Sequence, residues 1–133
     1  MINITLALMA DYANVTREGK LNIMGIFENI HVQTFPATHP QMQLVMSLVA
    51  DRRDCNKEHK LEIELLDADG NKVFSIGGQM RIPTPPAGQQ ARMNHIIQLN
   101  NLAFNKHGDH EFKIIVNGEV RKSVPLTVTK IKK

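Results

Sequence analysis

His107-Gly108-Asp109-His110-Glu111 is the densest group of metal-ligating side chains in the chain. Imidazoles three residues apart share a metal when a tight turn brings them together, and Asp109 adds a carboxylate. Two neighbouring ligands do not complete a site. A third would come from His31, His39, His59 or His95, whose separations along the chain neither favour nor oppose it. A simpler reading makes Gly108-Asp109 a turn and His110 the first inward residue of a strand. His107, Asp109 and His110 therefore stand as candidate ligands, and no metal or cofactor is assigned.

Asp67-Ala68-Asp69-Gly70-Asn71 resembles the start of a calcium loop, but the twelfth position is Gly78 where a bidentate glutamate is needed. Cys55 follows Arg52 and Arg53, which favour a thiolate, yet a nucleophile also needs an oriented base and only His59 is near in sequence. An exposed loop cysteine is the plainer account. The chain has no nucleophile elbow, no phosphate-cradling glycine loop and no spaced metal quartet. Glu62 and Glu64 share one solvent face of a strand. No catalytic residue is assigned, and the chain reads as a non-enzyme.

Lys113, Arg121, Lys122, Lys130, Lys132 and Lys133 form a possible basic strip on the last two strands. Lysines on edge strands also guard against edge-to-edge aggregation. The net charge is only +3, with a single tyrosine and no tryptophan, so a base-stacking platform is poorly supplied. Nucleic-acid association is the weaker alternative.

The elements that must position these residues are strands. Ile2, Ile4, Leu6 and Leu8 alternate with Asn3, Thr5, Ala7 and Met9 over residues 2–10, which excludes a signal peptide or membrane span. Residues 11–19 read as a connection. A second strand covers Lys20–Phe27, with Gly25 marking a bulge or a close backbone approach. The chain stays extended through Ile30 and Val32. Two prolines then exclude a helix at 35–40, and Gln41–Ala50 forms a strand with Met42, Leu44, Met46 and Leu48 on one face. Leu61, Ile63 and Leu65 pair across Asp69-Gly70 with the strand Val73–Ile82, Leu65 against Phe74 and Ile63 against Ile76, through a type I′ turn. Pro83–Gly88 is a rigid loop. Met93–Leu99 is a strand, and Asn100–Lys106 is expected to make one helical turn between sheets.

In the last hairpin His110, Phe112, Ile114 and Val116 share a face. A two-residue Asn117-Gly118 loop alone would set Phe112 against Ser123, so the pattern predicts a three-residue loop or a bulge near Gly118. Pro125 belongs on an edge or at a bulge.

About eight short strands and no helical period give an all-β fold, an antiparallel β-sandwich with immunoglobulin-like, Greek-key character, in a single domain over residues 1–133. The lone Cys55 allows no intrachain disulfide and points to a reducing, cytoplasmic setting. Met9, Met24, Ile26, Val45, Val49 and Ile96 fall on strand faces opposite the expected core. Such an apolar excess marks a candidate interface, most simply a homodimer.

The stretches ALMADYANV (7–15), GKLNIMGIFENI (19–30), FPATHPQMQLVMSLV (35–49), LLDADG (65–70) and the final hairpin resemble a family of small, uncharacterised prokaryotic and phage-associated proteins, a domain of unknown function. The resemblance spans nearly the whole chain and implies an immunoglobulin-like β-sandwich with no assigned catalytic residues. The expected function is a non-catalytic binding module that self-associates and has a further protein partner. The alternative is a metal- or small-ligand-binding protein using His107 and His110.

Overall fold

A computed structural model describes residues 1–131. Among the described residues nine strands are present: β1 (Ile2–Val15), β2 (Leu21–Phe27), β3 (Asn29–Val32), β4 (Ala37–Ala50), β5 (Glu58–Leu66), β6 (Lys72–Arg81), β7 (Ala91–Phe104), β8 (Gly108–Val116) and β9 (Glu119–Lys130). They form a four-stranded sheet in the order β2-β1-β4-β7 and a five-stranded sheet in the order β3-β9-β8-β5-β6. The two sheets close over a core that includes Met42, Leu44, Met46 and Leu48 from one side and Ile63, Leu65, Phe112, Ile114 and Leu126 from the other. Each such side chain contributes ~1.5–3 kcal/mol by leaving water. Among the described residues no helix is long and apolar enough to cross a membrane.

The sandwich-like, all-β architecture matches the alternation in the sequence, with three differences in layout. The pairing is not wholly antiparallel, because β3 runs parallel to β9. β7 continues as strand to Phe104, where a helical turn was expected, because β4 resumes at Ala37 and pairs with it as far as Ala37↔Phe104. The residues expected to connect strands at 11–15 belong to β1, which extends to Val15.

Two local devices reset the faces. A bulge between Ile4 and Leu6 shifts the parity of β1, so Ala7 and Met9 turn inward and Leu8 turns outward. Met9 is consequently a fully buried core residue rather than an interface residue. In the β8–β9 hairpin Val116 pairs with Glu119 across a two-residue loop, and a bulge then restores Phe112↔Val124 and His110↔Leu126. The bulge, not a longer loop, reconciles the tight turn with the apolar face. Asn117 (φ 51°) and Gly118 (φ 84°) give this loop its type I′ character. The β5–β6 hairpin keeps the expected Leu65↔Phe74 and Ile63↔Ile76 pairs. Its turn is not type I′: of its residues only Gly70 has positive φ, and the Gly70 N–H bonds the Asp67 carbonyl at 3.0 Å. The Thr127 N–H reaches the Glu28 carbonyl at 2.8 Å beside β3. Pro125, two residues earlier, turns its nitrogen to the same side of β9, before β3 begins, so its missing N–H costs no ladder bond.

Candidate functional site

The feature most unlike a plain sandwich is the β1–β2 hairpin. β1 pairs with β4 only as far as Ala10↔Gln43, but with β2 it continues to Val15↔Leu21. The crease between these two regimes falls at Asp11 and Gly25. Gly25 has φ +70°, and a Cβ there would lie 2.9 Å from the Asp11 Cγ. Only glycine combines that backbone with so close an approach.

Beyond the crease the hairpin leaves the sheet and lies across its outer face. Ala10, Ala13 and Val45 form a second buried cluster, against which Leu8, Leu21, Ile23 and Ile96 pack. The Ala13 N–H donates to the Gln43 Oε1 at 2.6 Å, in a buried bond. At the far end, the Asn94 Nδ2 on β7 donates to the Gly19 carbonyl at 3.3 Å. Thr16 closes the tip: its carbonyl accepts from the Gly19 N–H at 2.9 Å and its hydroxyl from the Lys20 N–H at 3.0 Å.

Of the six residues expected at an interface, Val45 and Ile96 therefore lie under the chain's own hairpin, Met9 is in the core and Val49 is half-buried. Met24 and Ile26 remain open, at 65% and 61% exposure, and Met24 pairs across the hairpin with Tyr12, which is 46% exposed. Beside the crease lies an open recess lined by Asp11, Ile26, Phe27, His31 and His39. Its imidazoles and carboxylate do not converge: among the described residues no group of three or more His, Cys, Asp or Glu side chains is placed to hold a metal.

The other chemical candidates are dispersed. His107 faces the Phe35 ring at 6.5 Å. Asp109 turns away and accepts the Thr127 hydroxyl at 3.0 Å. His110 is buried, donates from Nδ1 to the Gly108 carbonyl at 3.0 Å, and stands edge-on to Phe104 at 5.3 Å. Its Nε2 is buried without a partner among the described residues. These three residues therefore point in separate directions and do not assemble into one ligand set.

Asp67 spends its carboxylate locally, accepting the Asp69 and Asn71 amides at 2.9 and 3.0 Å, with Lys106 Nζ at 3.3 Å. Desolvation opposes its ionised form, but those amides and Lys106 hold its pKa below the usual carboxylate value. A lysine thus occupies the place a cation would take.

Cys55 is buried at 8% exposure instead of open in its loop, because it packs into the main core. His59 is unavailable to it as a base. The His59 Nε2 donates to the Asp54 carbonyl at 2.6 Å, and its Nδ1 accepts from the Asn117 side-chain amide at 3.0 Å.

The basic strip is interleaved with acids. Glu64 pairs across strands with Lys113 and bonds Lys72 at 2.8 Å, while Arg121 meets Glu119 at 3.2 Å. Lys132 and Lys133 lie outside the described residues.

Sequence reasoning singled out Met24 and Ile26 but assigned Tyr12 no place. It missed Asp11 and Gln43, which fix the crease. The one sequence signal for that crease is Gly25 within a strand.

The chain is similar in fold to a solved structure of the Pseudomonas fluorescens alkylpurine DNA glycosylase AlkC bound to DNA containing an abasic site analog, with a TM-score of 0.55 at 10% sequence identity. The match covers 96% of this chain but only 30% of that one. At this identity the likeness concerns fold alone. No curated protein matches the chain. The model of the Family of unknown function (DUF6941) matches residues 5–129, and the chain belongs to that family.

Proposed function

We propose that the protein is a non-catalytic binding module that self-associates through the outward face of the β1–β2 hairpin, with an immunoglobulin-like sandwich as its rigid carrier. The observation that supports this reading is the concentration of exposed large apolar side chains there: Tyr12, Met24 and Ile26, with Val15 on the same hairpin. Elsewhere such side chains are isolated and need no explanation. The hairpin's other face is pinned to the sheet, so the platform is ordered before it binds and little entropy is lost on docking.

A second copy is the occupant we favour. The hairpin tip carries charges of both signs, Arg17, Glu18 and Lys20, so a twofold arrangement that sets Glu18 against Arg17 or Lys20 of the other copy would rim the apolar centre with opposite charges. Light scattering on the untagged chain across a concentration series tests this. A dimer that becomes a monomer in the Met24→Lys/Ile26→Lys double variant supports the reading. A wild-type monomer at the highest soluble concentration sinks it.

A further inference from the structure

The inner face of β6 carries Phe74, Ile76, Gly78 and Met80 in alternation, paired with Leu65, Ile63, Leu61 and His59 of β5. One of those four positions has no side chain. A Cβ built at Gly78 meets nothing within 4 Å, so the space it would fill is open. On the facing edge strand β7, His95 pairs with Met46 and Ile97 with Leu44, which sets both toward the interior. The result is an open-mouthed slot of about 160 Å³ between the free edges of the two sheets, lined inside by Leu61, Ile63, Ile76, Ile97 and His95, with Gly77, Gly78 and Gln79 exposed at its mouth. Engineered apolar cavities of about 150 Å³ take up benzene.

Among the described residues the imidazole is the only titratable group on the slot wall. Its ring makes no hydrogen bond among the described residues, and its burial, with no charged partner, keeps the neutral form favoured. A neutral imidazole presents one acceptor nitrogen and one N–H. An apolar slot with few polar groups, here the imidazole inside and Gln79 at the exposed mouth, is the usual composition of a small-molecule site.

We infer that the gap left by Gly78 opposite His95 is a binding slot for a small, uncharged, one-ring molecule that carries a single hydrogen-bonding group for the imidazole. Charged ligands are disfavoured because the wall offers no counter-charge, and larger ones because a second ring would extend past the slot's volume into solvent.

Phenol and toluene serve as probes, since they share size and differ in one hydroxyl. Titration of the ¹⁵N-labelled 133-residue chain should give saturable shifts at the Gly77, Gly78 and Ile97 amides, with phenol binding about fivefold tighter than toluene. His95→Leu should erase that preference while toluene still binds. Gly78→Leu should abolish binding of both probes. The position has no positive φ, so the change brings no backbone strain, and Gly78→Val provides a smaller plug if leucine disturbs the fold. The inference is overturned by the absence of saturable shifts up to the solubility limit, by shifts that persist in the plugged variants, or by equal affinity of the two probes for the wild-type chain.

Discussion

Two apolar openings of the same sandwich are finished in opposite ways. On the outer face of the four-stranded sheet, Leu8, Val45 and Ile96 are covered by the folded-over hairpin, which brings Ala13, Leu21 and Ile23 onto them. Between β6 and β7, Ile76 and Ile97 are left beside a gap where Gly78 contributes no side chain. Both places look alike as patterns of apolar residues on strands. They differ in a single glycine each. Gly25 lets the chain bend back and seal one opening, whereas Gly78 withholds the group that would seal the other.

The strongest way to break this comparison is to charge the sealed side. Val45→Asp places a carboxylate where exposure is zero, and should cost at least about 4 kcal/mol in denaturant unfolding. A cost near zero would mean that the hairpin does not cover the sheet. Next in size is the crease. Gly25→Ala combines a positive φ with a clash against Asp11, at about 2–3 kcal/mol, and Asp11→Ala should recover part of the loss. Independence of the two effects in a double-mutant cycle would argue against their contact.

Gln43→Leu sharpens the same side more gently. It strands the buried Ala13 N–H at about 1–2 kcal/mol, and amide exchange at Ala13 should rise before global stability falls. On the open side the sign reverses. Gly78→Val fills vacant space in a strand and should stabilise by about 0.5–1 kcal/mol; destabilisation would show that the slot is smaller than drawn.

The smallest expected effect is titration of His95. Burial lowers its pKa below 6.5, so between those values the unfolded chain binds more protons than the folded one. Its contribution to stability is complete above pH 6.5 and is lost as pH falls through the lowered folded value. His95→Leu should flatten the fall in Tm over that window, and an unchanged slope would place the ring in solvent.

Much of the layout was legible in the residues because period-two alternation reports burial directly. Met42, Leu44, Met46 and Leu48 are inward as expected, and so are His110, Phe112, Ile114 and Val116. The misreadings have a shared cause. Met9 was placed outward because the bulge near Thr5 leaves no mark in the alternation of β1. Asn100–Lys106 lost its expected turn because β4 pairing continues past it to Phe104. The type I′ turn belongs to Asn117-Gly118 and not Asp69-Gly70, because the Asp67 side chain caps its own loop by accepting two amides.

The candidate site was legible only by half. Met24 and Ile26 stood out as apolar residues on an outer face, and they are exposed. Val45 and Ile96 carried the same signal and are covered. Nothing in the local pattern separates the two pairs, since the covering group comes from more than twenty residues away in sequence.

Sequence alone determined that this chain is all-β, where most of the strands lie, and which face of most strands reaches the main core, because those properties follow from local alternation and turn chemistry. Tertiary structure decided which outward apolar residues are sealed and which stay open, and where His107, Asp109 and His110 point relative to one another. Those outcomes depend on bulges, on a crease at one glycine and on a missing side chain at another, whose consequences appear only when distant strands are brought together.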